Sequence, residues 1–174
     1  MAKPLTFAVG GEYREDSYEI EAGEPASYYK GGPQSFYGYS PTDAGFHKRH
    51  NWAVYADAAF SPVENLQLDT AIRHEDFSDF GGTTVFKGTG RYDFNPMIAV
   101  RGTASTGFRA PTQAEGFYSG INVGPSSIGG QLAPNSPGAA LLGKPGLGPE
   151  KSTNFSVGFV AHPVSRLTVT VDAY

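Results

Sequence analysis

Asp69, Arg73, Glu75, Lys87, Arg91 and Arg101 are separated by even numbers of residues in a chain of 174, and acids and bases gathered in this way could move protons or hold a charged ligand. Catalysis requires more than a crowd: a nucleophile with its base and orienter, or an acid pair, converging on a cleft. Charges on one side of consecutive strands pair with each other, with water or with a further domain, so the expectation is an interior charge network and no enzyme. His47 and His50 flank Lys48 and Arg49, a cluster that invites a metal. No third histidine, cysteine or carboxylate stands at a ligand spacing, and loop-base histidines are expected with no metal and no cofactor. Tyr28, Tyr29, Phe36, Tyr37 and Tyr39 decorate a Gly/Pro-rich stretch, where aromatic platforms can hold planar or sugar-like ligands or can pack between loops. Glycine spacing such as Gly120 to Gly124 does not sit between a strand and a helix, so a phosphate cradle is not expected.

Composition bounds what could position these groups. The hydrophobic content of 39% with 13% aromatics is enough for one domain, and Gly 23 with Pro 13 falls mainly in connections. A net charge of −4 without a basic stripe gives no electrostatic ground for a nucleic-acid partner. The absence of cysteine removes disulfides, thiolate metal sites and cysteine nucleophiles together. No run approaches the length of an apolar spanning helix, and the start lacks the apolar region of a signal peptide. The remaining route through a membrane is a β-barrel.

Seven segments alternate with period two: Leu5–Arg14, Trp52–Phe60, Leu66–Glu75, Val85–Phe94, Met97–Arg109, Thr153–Ala161 and Arg166–Tyr174. Their length suits tilted strands crossing a bilayer. Short connections, each with a proline, lie at Phe60–Leu66, Phe94–Met97 and Ala161–Leu167; long ones lie at Glu15–Asn51, Phe77–Thr84 and Ala110–Ser152. Unequal ends of this kind predict an antiparallel up-and-down meander with long loops on one side and short turns on the other.

Sorting the strands by parity separates their charges. One face carries Phe7, Val54, Ile72, Val100, Phe155 and Val169 among residues that include no Asp, Glu, Lys or Arg. The other carries Glu12, Arg14, Asp57, Asp69, Arg73, Glu75, Lys87, Arg91, Asp93, Arg101, Arg109, Arg166 and Asp172. The dry face could be a soluble core or a lipid-facing band. Small residues such as Gly88, Gly90, Gly102 and Ala104 would leave voids in a core, whereas acyl chains fill them. Tyr13, Trp52, Phe60, Tyr92, Phe94 and Phe108 sit near strand ends, where an interfacial girdle would lie.

The stretches R-H-E-D-F-S-D-F-G at Arg73–Gly81, S-T-G-F-R-A-P-T-Q-A-E at Ser105–Glu115 and G-P-E-K-S-T-N-F-S-V-G-F at Gly148–Phe159, with the closing L-T-V-T-V-D-A-Y, carry a resemblance. From about Asn51 onward the chain resembles the β-barrel of TonB-dependent outer-membrane receptors. The resemblance implies a barrel of about twenty-two strands closed by an N-terminal plug. It also implies a place in the outer membrane of a Gram-negative bacterium, contact with its lipid, and active import of a scarce small-molecule ligand (an iron–siderophore, cobalamin or a glycan) with energy delivered through TonB. With seven strands, no plug and no TonB-contacting box, residues 1–174 are expected to be an internal fragment of such a barrel, which would reach the TonB complex through the plug of its parent. A passive porin-like barrel and a soluble β-sandwich binding module are the alternatives. A plug upstream in the parent gene separates the first from the receptor, and behaviour without detergent separates the second.

On this reading the fifth strand climbs outward, Gly107 and Pro111 end its pairing, and Gly116–Gly148 forms an extracellular loop. Arg109 and Glu150 then stand at the outer ends of neighbouring strands, on the interior side, where an ion pair between them would fix the base of that loop.

Overall fold

A computed structural model describes residues 3–32, 38–143 and 146–174. Seven antiparallel strands follow one another in space almost as they do in sequence. They are β1 (Lys3–Ile20), β2 (Gly45–Val63), β3 (Leu66–Phe77), β4 (Gly81–Asn95), β5 (Ile98–Arg109), β8 (Glu150–Val164) and β9 (Leu167–Ala173), in the sheet order β1-β2-β3-β4-β5-β8-β9. The insertion between β5 and β8 holds a separate hairpin, β6 (Gly120–Val123) with β7 (Ile128–Gln131), and two one-turn helices. The sheet is open, and the outer edges of β1 and β9 have no partner strand among the described residues.

All three proline-bearing connections are two-residue turns, and at each one the register of the adjoining strands shifts, between Phe60 and Val63, Asp93 and Asn95, and Ala161 and Val164. Pro62 and Pro163 fall inside two of these irregularities, where no ladder hydrogen bond has to be donated. The last turn is Ser165–Arg166, and Arg166 takes a left-handed φ of 71°. Arg166 therefore belongs to the turn and not to the charged face, and Met97 likewise lies in a turn.

The strands run further outward than their alternation. β1 continues through Glu15–Ile20 and β2 begins at Gly45, so the first long connection shrinks to residues 21–44. The connection expected at Phe77–Thr84 is a three-residue turn, 78–80. β8 starts at Glu150, and Gly107 does not end pairing on that side, because β5 stays in register with β8 as far as Arg109 opposite Glu150. In these outer segments both faces carry polar side chains, so the wet/dry contrast that marks a strand disappears while the ladder continues.

Cross-strand register keeps the two faces separate from end to end. Outward rows such as Phe7, Ala58, Thr70, Gly88, Ala104 and Phe155 are joined pair by pair across six strands. No second layer covers that face among the described residues: Phe7 and Phe155 are each 69% exposed, Val54 50% and Val171 62%. A sandwich would have buried them. Phe108 is an exception to the girdle. Pairing of β5 with β4 stops at Ser105, and the Phe108 ring lies edge-on to Phe77 at 6.0 Å, in a small cluster that also stacks Phe77 on Phe80.

Because the outward face is bare hydrocarbon at mid-height, a cation placed there loses its water. In protein inserted into phospholipid vesicles, Ala104→Arg is expected to lower folding stability by about 2–4 kcal/mol. Thr103→Arg, one residue away on the charged face, is expected to stay within about 1 kcal/mol; equilibrium denaturant titration of the two variants distinguishes them.

Candidate functional site

The charged face holds its groups as local pairs. Arg73 donates to Glu75 on its own strand at 2.5 Å and reaches across β2 to Glu12 at 3.0 Å, passing above Ala53, which lies between Glu12 and Glu75 in register. Arg101 donates to Asp172 at 2.6 Å over β8, where Gly158 leaves the room: a Cβ there would lie 2.1 Å from the carboxylate. Small residues beneath an ion pair let the two charged strands join over the one between them. Arg91 binds Asp93 at 2.7 Å. Asp69 and Lys87 form no ion pair among the described residues; Asp69 lines an open hollow of about 630 Å³ with Arg91 and Arg101. The six interior charges are therefore dispersed, and Glu12, Asp93 and Asp172 complete their pairs.

The outer rim is more tightly organised. Arg109 closes two forks at once, with Nε and Nη2 donating to Glu150 at 3.1 Å each, and Nη2 and Nη1 donating to Glu115 at 2.9 and 3.3 Å. Glu115 also completes a capping box on helix α2 (Gln113–Phe117): the Thr112 backbone N–H donates to its carboxylate at 2.7 Å, and its own N–H donates to Thr112 Oγ1 at 3.2 Å. The sequence T-Q-A-E bears the capping signature, and that signal could have placed Glu115 beside Arg109. Hydrogen bonding from Arg109, and then from the backbone and side chain of Thr112, holds the Glu115 carboxyl down to about 2. Arg109 likewise lowers Glu150, and the two carboxylates raise Arg109 above its ordinary value, Glu150 first.

From this anchor the chain crosses the notch left by the short β3–β4 turn and lies against the charged side of β1 and β2. The Gln113 amide donates to the Asp16 carbonyl at 3.1 Å, Arg49 Nη1 donates to the Pro111 carbonyl at 2.6 Å, and Ser119 Oγ donates to Asp43. The His47 ring stacks on Phe117 at 3.5 Å, and Tyr39 meets Tyr118 edge-on at 6.3 Å. Burial, and then the charges of Tyr18 and Tyr118, raise the Tyr39 hydroxyl; for Asp43 burial opposes ionisation, but hydrogen bonds from Ser119 and Ser40 outweigh it and lower the carboxyl. His50 turns the other way and stacks on Tyr13 at 6.2 Å, in the outward girdle that also brings Trp52 to 5.4 Å from His74.

Of the expected loop aromatics, Tyr39 is drawn into this cluster. Tyr29 is 70% exposed with the Lys30 ammonium 5.4 Å from its ring centre. Tyr28 is half-buried in the one-turn helix α1 (Pro25–Tyr28). Phe36 and Tyr37 lie outside the described residues. The rings that do meet, His47, Phe117 and Tyr118, come from the strand β2 and from the other loop, so proximity in sequence could not reveal them. A cleft of about 290 Å³ opens beside Phe117, between Asp79 and Phe80 on one side and Gln113, Phe117 and Asn135 on the other.

An unlayered sheet, apolar outward and ion-paired inward, with its loops gathered at one end, agrees with the family model that matches residues 2–174, the TonB dependent receptor-like β-barrel. The chain belongs to that family. Its members are transport receptors and not enzymes. Solved structures with the same fold include the siderophore receptor PirA from Acinetobacter baumannii (16% identity, TM-score 0.71, covering 97% of this chain and 24% of that one). A mutant of the ferric enterobactin receptor PfeA from Pseudomonas aeruginosa aligns at 13% identity with a TM-score of 0.72, over 97% of this chain and 23% of that one. PirA from Pseudomonas aeruginosa aligns at 16% identity with a TM-score of 0.63, over 92% and 26%. The chain thus spans about a quarter of the length of these receptors. No curated protein sequence matches it.

The Arg109 fork sets a pH dependence. Because the bound Glu115 carboxyl titrates at about 2, below the ordinary value of roughly 4.3, the contact contributes fully above that ordinary range and is lost as pH falls toward the lowered value. Arg109→Ala should raise the Glu115 titration part of the way toward the ordinary value of roughly 4.3, because the Thr112 hydrogen bonds remain; its side-chain carboxyl resonance across a pH series reads the shift. An unshifted low value in the variant would mean that Thr112 alone sets it.

Proposed function

We propose that the chain forms seven strands of a larger barrel in the outer membrane of a Gram-negative bacterium, and that this barrel is an active-transport receptor importing a scarce small-molecule ligand with energy delivered through TonB. The separation of faces supports this most directly: membrane lipid meets the charge-free side, and the ion-paired side faces an interior. Within it, Asp69, Arg73, Glu75, Lys87, Arg91 and Arg101 face the plug of the parent protein, through which TonB acts.

The ligand is met at the outer end. Tyr39 and Tyr118, with the stacked His47 and Phe117, form an aromatic cluster of which Phe117 lines the 290 Å³ cleft, and the sequence places Tyr28, Tyr29, Phe36 and Tyr37 in the connection that carries Tyr39. The Arg109–Glu150 pair, with Glu115, fixes the base of the opposing loop. An iron–siderophore is the leading ligand class, because the structural neighbours are by name siderophore and ferric enterobactin receptors; cobalamin and glycans are the alternatives.

Deleting the parent gene should abolish uptake of one member of a panel of radio-iron siderophore chelates, labelled cobalamin and labelled oligosaccharides. In wild-type cells that uptake should stop within minutes of adding a protonophore. Uptake that persists without proton-motive force would instead identify a passive porin-like barrel.

A further inference from the structure

We propose that the cleft between the β3–β4 turn and the segment after β5 is a sugar subsite: one neutral pyranose ring lies against Phe80 and Phe117, with its hydroxyls bonded to the Asp79 carboxylate and the Asn135 amide. At about 290 Å³ the cleft stands at the small end of ligand pockets, roughly 300–1,000 Å³, so it takes one ring of a larger ligand. Both phenylalanines are half-buried, and each spends one face on a neighbour, Phe80 on Phe77 at 4.6 Å and Phe117 on His47 at 3.5 Å. What remains of each ring lines the cleft, from opposite sides. Aromatic faces carry negative partial charge, and the C–H face of a sugar ring packs on them without losing a hydrogen bond.

The polar groups of the cleft match hydroxyls and not an ion. Asp79 is the single charged group among the described residues that line it, which disfavours an anion. The guanidiniums that approach are already taken, Arg109 by Glu115 and Glu150, and the buried Arg49 by Asp16 at 3.5 Å and Asp79 at 3.6 Å. That last separation balances the charge of Asp79 but is too long for a hydrogen bond, and the carboxylate accepts none among the described residues. Asp79 therefore needs no second cation and keeps its lone pairs for O–H donors. Asn135 supplies the complement. Its Nδ2 lies beside Gly116 and its Oδ1 beside Gly146, where an added Cβ would come within 2.6 and 3.2 Å, and neither amide atom is hydrogen-bonded among the described residues. The Asn135 N–H donates to the Gly116 carbonyl at 3.0 Å and the Gly146 N–H to the Pro134 carbonyl at 3.1 Å, which sets the amide in place without using it. A hydroxyl is one donor and two acceptors, so a ring bearing several satisfies a carboxylate and an amide together. The proposal rests on the receptor reading for the use of the site, and deepens it by naming a ring that the imported ligand carries, either as a unit of an oligosaccharide or as a sugar appended to an iron chelate.

Saturation-transfer difference NMR on the intact receptor in detergent, with the methyl glycosides of glucose, galactose, mannose and N-acetylglucosamine as probes, reads the binding directly. At least one glycoside should bind with a millimolar dissociation constant, and the transfer should fall on the C–H protons of one ring face. Asn135→Ala should weaken that glycoside roughly tenfold. Gly116→Ala, which keeps the amide but drives it off the cleft wall, should weaken it by a similar factor. Uptake by cells separates the two sources of the ring: Asn135→Ala should raise the half-saturating concentration for a labelled oligosaccharide if the ring belongs to a glycan, and for a glycosylated iron chelate if it is an appendage. No transfer to any of the glycosides at about 20 mM, or transfer unchanged in both variants, would overturn the subsite, and uptake that still stops with a protonophore would then leave the receptor reading standing. Glycoside binding beside protonophore-insensitive uptake would do the reverse, removing the receptor reading and keeping the subsite.

Discussion

Lipid cannot hydrogen-bond a backbone, and this one constraint orders the molecule. Within hydrocarbon every N–H and C=O has to be satisfied by a neighbouring strand, since each orphan costs several kcal/mol. The answer here is a ladder from β1 to β9, with register kept except at the start of β1, between Lys3 and Thr6, and where a turn is made. Once the ladder is fixed, side chains have only two directions. Outward positions have to be uncharged, and the ions point inward, where several meet a partner. Arg73 with Glu12 and Glu75, and Arg101 with Asp172, are the consequence of that sorting. Ala53 and Gly158 give these pairs space to span a whole strand.

Above the membrane the constraint lifts, and the structure changes character. Water can satisfy loop backbone, so strands need no dry face and loops can fold back on the wall. The insertion after β5 uses this freedom. It is pinned at its origin by Arg109, crosses the low β3–β4 turn, and is held at its far side by Arg49, Gln113 and the His47–Phe117 stack. Its contacts are individual side-chain bonds and ring stacks, whereas the wall below is a continuous ladder.

Parity made the wall readable. Seven strands, their order and their two faces follow from alternation, and the register places the expected rows opposite one another. Alternation could not show Glu15–Ile20 or Gly45–Asn51 as strand, because both sides of those segments meet water and the signal needs one dry side. The rim was partly readable: Arg109 opposite Glu150 follows from antiparallel counting, while Glu115 required recognising a capping box in T-Q-A-E. Arg49 was hidden among four polar residues at 47–50. Its burial involves the segment after β5, whose Pro111 carbonyl it binds from more than sixty positions away in sequence, and no local pattern encodes that approach. The same holds for Tyr39 and Tyr118, which meet only because two loops converge.

Everything depends on which side of the sheet meets hydrocarbon. Nitroxide scanning of residues 53 to 58 on β2, in the intact protein reconstituted in phospholipid, reads this directly through relaxation by oxygen, which concentrates in lipid, and by a water-soluble nickel chelate. Labels at 54, 56 and 58 should respond to oxygen and resist nickel, and labels at 53, 55 and 57 should not share that preference for oxygen. Loss of the two-residue period, or shielding of 54, 56 and 58 from both agents as by a second layer of protein, would contradict the account.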